Sequence, residues 1–65
     1  MARAYEVRDG EACFAYPNVA EAKEAAYRIY SEGGVGNVRT TEGPDGTALV
    51  RVPAVHAAAV AALLG

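Results

Sequence analysis

The dipeptide Asp9-Gly10, set between two alternating runs, constrains this chain more than any other feature. A two-residue Asp-Gly loop is the type I′ hairpin signal, because both of its positions need φ > 0. The turn sets a register, with Arg8 opposite Glu11, Val7 opposite Ala12, Glu6 opposite Cys13 and Tyr5 opposite Phe14. Strand side chains alternate between faces, so Tyr5, Val7, Ala12, Phe14 and Tyr16 share one face, and Glu6, Arg8, Glu11, Cys13 and Ala15 share the other. The first set is the expected core face.

A helix is predicted after Pro17. Asn18-Val-Ala-Glu21 reads as a capping box, in which the cap and the residue three positions on satisfy orphan donors. At 100° per residue, Val19, Ala22, Ala26, Ile29 and Tyr30 form the inward stripe. Glu21, Glu24, Arg28 and Glu32 lie opposite, with Glu24 and Arg28 spaced for an i,i+4 ion pair. Lys23 falls on the stripe margin, where its stem can snorkel. Gly33 is the expected residue just past the helix end.

The second half repeats this plan. Val38–Thr41 and Thr47–Val52 read as strands around Glu42-Gly-Pro-Asp-Gly46, with Val38, Thr40, Ala48, Val50 and Val52 facing the core. The expected register sets Arg39 opposite Leu49 and Arg51 on the diagonal. Pro53 suits the first turn of a final helix reaching about Leu64. Shifting the chain by 36 superposes Asp9-Gly10 on Asp45-Gly46, Ala12 on Ala48, Pro17 on Pro53 and Val19 on Val55. Ala22, Ala25 and Ala26 then fall on Ala58, Ala61 and Ala62. The expectation is an α+β domain of order ββαββα, an internal ββα duplication with halves at about 3–34 and 37–65. Its four-stranded, mostly antiparallel sheet carries both helices on one face. No strand order follows from the sequence.

Sixty-five residues make one small domain, with no room for a second core. Fifteen of the residues are alanine, and the large aliphatics are only eight Val, three Leu and one Ile, so the interior is thin. No staple compensates: a single cysteine, Cys13, cannot close an internal disulfide, and a single histidine, His56, cannot complete a zinc site. The residues Met1-Ala-Arg-Ala-Tyr-Glu6 lack the apolar stretch of a secretory leader, and no window is long enough for a membrane span. A cytoplasmic protein is expected. The net charge of −2 argues against general nucleic-acid affinity, and the acids are too scattered for a nucleic-acid mimic.

Chemistry-bearing motifs are scarce. Gly33-Gly-Val-Gly36 leaves a helix rather than opening one, so it is not placed to cradle a phosphate. Cys13 has no local base or orienting group, and His56 has no matched acid. No cofactor and no catalytic activity are expected.

Two surfaces remain. The outward sheet face carries Arg8, Arg39 and Arg51 around Leu49 and small residues, but its aromatics point inward, away from any base-stacking role. The final helix is apolar all round except for His56. If Val55, Ala59, Ala62 and Leu63 turn to the core, Val60 and Leu64 lie on the far side and want cover. Val60, Leu64, His56 and Leu63 are thus the candidate interface, with a two-fold homodimer the simplest occupant. The function expected on these grounds is a non-catalytic protein-interaction module. It would regulate or inhibit by occupying a partner's surface, as small phage and mobile-element proteins do. Nucleic-acid binding through Arg8, Arg39 and Arg51 is the second reading.

Overall fold

The structure, a computed structural model, describes residues 2–65. Asp9 and Gly10 both adopt positive φ, 51° and 76°, and join β1 (Glu6–Arg8) to β2 (Glu11–Tyr16) in the register that the turn demands: Glu6↔Cys13, Val7↔Ala12, Arg8↔Glu11. The Tyr5 and Phe14 rings continue the pairing, with centroids 5.3 Å apart.

Helix α1 (Val19–Ser31) opens on the Asn18 cap, whose Oδ1 accepts from the Glu21 N–H at 2.9 Å. The Glu21 carboxylate turns back to Asn18 Nδ2 at 3.0 Å, so the box closes between side chains. Its inward stripe is Ala22, Ala25 and Ile29, flanked by Val19 and Ala26. Tyr30, expected on that stripe, is 62% exposed. Alanine at 22 and 25 lets the helix sit close to the sheet, and the bulky ring is left outside. Arg28 pairs with Glu32 (Nε to Oε2, 3.4 Å) rather than with Glu24. Its Nη2 donates to the Leu63 carbonyl at 3.1 Å, where a cation meets the C-terminal end of the second helix.

The left-handed residue after α1 is Gly34 (φ 68°), not Gly33. Gly33 is required for space instead, since a Cβ there would lie 2.7 Å from the Ile29 carbonyl oxygen and 3.3 Å from Leu63 Cδ2.

Strands β3 (Arg39–Glu42) and β4 (Ala48–Pro53) form the second hairpin. Asp45 and Gly46 repeat the double positive φ, at 60° and 78°. Both Gly43 and Pro44 face Thr47: Gly43 N–H donates to the Thr47 carbonyl at 2.8 Å, and Thr47 N–H to the Pro44 carbonyl at 3.3 Å. The Asp45-Gly46 turn alone would set Arg39 opposite Val52; the extra residue shifts the pairing by one, to Arg39↔Arg51 and Thr41↔Leu49, two steps from the register expected for a five-residue loop. Arg39 is therefore opposite Arg51 rather than Leu49. The change is two steps, so every residue keeps its face.

The sheet order is β1-β2-β4-β3, antiparallel throughout. This is an α+β fold with four strands in one open sheet and two helices. The central β2–β4 pairing is two-fold symmetric. Moving the pair Ala12↔Val52 by 36 in opposite directions gives Ala48↔Tyr16, also a pair, and Phe14↔Val50 maps onto itself. Two copies of a ββα unit would produce this register.

Pro53 ends β4 rather than starting a helix. A 3-10 turn, Ala54–His56, precedes α2 (Ala57–Leu64). Ala57, Val60 and Ala61 of α2 join Ala12, Phe14, Ala48, Val50, Val52 and the α1 stripe in one core cluster, with Leu63 and Leu64 packed against it. Val60, expected on the outer side, is 1% exposed, while Val55 is 86% exposed. Val55 lies in the 3-10 turn and cannot anchor a stripe of the α-helix. Within α2 the residues at i, i+3, i+4 and i+7 that carry the larger side chains, Val60 and Leu64, take the inner side.

Tyr5 and Val7 have the parity of the core face, yet they are 41% and 58% exposed. Val7 lies on the edge strand β1 and Tyr5 just before it, where the helices give them little cover.

Candidate functional site

The outward sheet face is built from residues of odd number on β2, β3 and β4 and even number on β1. On it the register brings like charges together, because Arg39 and Arg51 stand directly opposite each other. Such a pair is unfavourable unless a counter-charge intervenes. Glu11 supplies one: its Oε1 lies 2.7 Å from Arg39 Nη2 and 3.1 Å from Arg51 Nε. The first contact is a hydrogen bond, whereas the second is a charge pair without hydrogen-bond alignment. Arg8 is engaged as well, with Nη2 3.0 Å from Glu6 Oε2. All three sheet arginines thus meet a carboxylate on their own face, and little free positive charge is left for a phosphate backbone.

Leu49 is half-buried among these groups. With Glu6, Arg8, Cys13 and Ala15 it lines a shallow depression of about 110 Å³. Cys13 shares the outward parity but is only 5% exposed, flanked in the register by Glu6 on β1 and Arg51 on β4. Its thiol points to the Glu11 carbonyl at 3.9 Å. A covered thiol next to a carbonyl lacks the base that nucleophilic chemistry requires. Parity foretells its face but not its burial, which depends on strands from both halves closing around it.

The residues expected at the last-helix interface separate. Val60 lies in the core, Leu63 and Leu64 are half-buried against it, and His56 is exposed at the start of α2 with no side-chain capping bond. The outer side of this segment is instead Val55, Ala58, Ala59 and Ala62. Ala54 N–H donates to the Gly10 carbonyl at 2.9 Å, which sets Val55 beside the turn of the first hairpin. Among the described residues the exposed large apolar side chains are Val55 beside this turn, Val7 along β1, Tyr5 at the open end of the same hairpin, and Tyr27 and Tyr30 on α1.

A groove of about 680 Å³ runs between α1 and the N-terminal segment, lined by Arg3, Tyr16, Lys23, Glu24, Tyr27 and Leu64 among others. Arg3 is locked into its wall. Its Nη2 donates to the Ala15 carbonyl at 2.7 Å, and its guanidinium stacks over the Tyr16 ring at 4.1 Å. Sequence reading does not single out this residue, since the latch depends on the N-terminal segment lying along the sheet.

Among the described residues, no three His, Cys, Asp or Glu side chains are grouped to hold a metal ion. No helix among them is long and apolar enough to cross a membrane. No known protein family, curated protein or solved structure matches this chain.

Proposed function

We propose that the chain is a non-catalytic protein-interaction module that self-associates and regulates or inhibits by occupying a partner's surface. The observation that carries this reading is the exposure of Tyr5 and Val7 along the first hairpin and of Val55 beside its turn, at 41%, 58% and 86%, in a chain with few large apolar residues to spare. Apolar side chains grouped at the surface favour a partner with a matching apolar patch. The outer alanines of α2 adjoin Val55 along the chain and allow close approach. The second reading, nucleic-acid binding through Arg8, Arg39 and Arg51, is weakened by the Glu6 and Glu11 contacts, which offset two of the three positive charges.

Capture from a lysate of the source cells, followed by mass spectrometry, tests the reading if the wild-type chain is compared with Val55→Glu. A protein retained by the first and lost with the second is the expected result. Binding of oligonucleotides at tens of micromolar that weakens steeply with salt and is abolished by Arg39→Ala would replace this reading with the second.

A further inference from the structure

We infer that two copies of this chain associate through β1, edge to edge and antiparallel about Val7, to form one continuous eight-stranded sheet. This names one partner for the interaction reading above and rests on that reading.

The two edges of the sheet differ. β3 presents Arg39, Thr40, Thr41 and Glu42, ending at the Gly43-Pro44 bulge, and bulge and proline are devices that discourage strand addition. β1 has no bulge and no proline. In a two-residue hairpin the residues flanking the turn, Arg8 and Glu11, form the hydrogen-bonded pair, so Val7↔Ala12 is the non-bonded one. The Val7 N–H and carbonyl therefore point away from β2, to the open edge. Among the described residues no backbone bond engages them. Its side chain is 58% exposed on the helix-bearing side.

The sequence around Val7 is self-complementary. In an antiparallel pairing centred on Val7, each Val7 exchanges two backbone hydrogen bonds with its copy. Each Glu6 falls opposite the copy's Arg8, and each Arg8 opposite the copy's Glu6. Within one protomer these two side chains already lie together on the outward face, 3.0 Å apart and largely exposed. The two-fold pairing would interleave four charges of alternating sign. On the other face Val7 meets its copy, with Tyr5 beside it. Such an isologous contact closes, leaving the two polar β3 strands as the only edges. A patch this small gives a weak dimer, with Kd of roughly micromolar order or above.

Light scattering and sedimentation of the full chain over a wide concentration range, combined with charge exchange, test this. The wild-type chain should pass from monomer to dimer. Glu6→Arg alone and Arg8→Glu alone should each weaken association by about tenfold or more, since every cross-strand attraction becomes a repulsion. An equimolar mixture of the two variants should restore dimers, because the all-positive strand then meets the all-negative one. Both sites are exposed, and circular dichroism checks that the variants stay folded. A wild-type chain that remains monomeric throughout, or a dimer that ignores both substitutions, overturns the inference. A monomer that still captures its Val55-dependent protein sinks the dimer alone, while a charge-sensitive dimer with no captured protein sinks only the wider reading.

Discussion

Gly33, Gly34 and Gly36 stand within four positions, and only the first two are constrained, each in a different way. A Cβ at Gly33 would press to 2.7 Å on the Ile29 carbonyl oxygen, part of a helix backbone that cannot retreat. At Gly34 there is open space, but φ is 68°, where a side chain is strained. At Gly36 neither restriction applies. In urea unfolding, Gly33→Ala should cost about 1–3 kcal/mol and Gly34→Ala about 1 kcal/mol. Gly36→Ala should be neutral, or stabilising by up to about 1 kcal/mol through the unfolded chain. A large loss at Gly36, or none at Gly33, would contradict these assignments. The same scale marks the limit of reading from sequence. Asp9-Gly10 is legible because the demand for positive φ is local. The clamp of Glu11 by Arg39 and Arg51 is not, because it exists only once β4 lies between β2 and β3.

At the scale of elements, α1 and α2 differ in how well pattern marks their inner face. α1 carries charges that define an outside, and its inward Ala22 and Ile29 follow from period alone. α2 has no charge at all, so two opposite stripes are equally apolar, and one residue outside the helix, Val55, tips the choice the wrong way. The alanines add a second ambiguity. Aligned by identity at a shift of 36, Ala22, Ala25 and Ala26 meet Ala58, Ala61 and Ala62, two of which are exposed. By position in the fold the shift is 35, matching Ala22, Ala25, Ala26 and Ile29 to Ala57, Val60, Ala61 and Leu64, all buried or half-buried. A run of alanines can slide by one residue without changing its letters. Val60→Ala should therefore lower unfolding stability by about 2 kcal/mol, whereas Val55→Ala should change it by no more than about 0.5 kcal/mol. Paired denaturation curves decide between the two faces.

Across the whole molecule, the order β1-β2-β4-β3 makes each half an edge strand, a central strand and a helix, related about the Phe14↔Val50 pair. The hairpins, the helices and the core-facing parity of the strands were legible in the sequence. Strand order was not, because no local signal says which strands of two hairpins meet. The halves depart from each other at the second hairpin, where the Gly43-Pro44 bulge is added beside the repeated Asp-Gly turn.

The symmetry also says where the chain could begin. The stretch from Glu32 to Arg39 carries the polypeptide from the first helix to the next edge strand. Its two-fold counterpart would run from the end of α2 to the start of β1. The Arg3 N–H already bonds to the Ala61 carbonyl at 3.0 Å, so the N-terminal segment lies against the last turn of α2. A circular permutant that joins Gly65 to Ala2 through a short glycine-serine bridge and opens at Gly36 should fold to the same sheet. Its amide exchange pattern should keep β2 and β4 the most protected. Loss of folding would mean that the α1–β3 passage does more than connect. Covalent continuity would then matter at one of two places that the fold treats as equivalent.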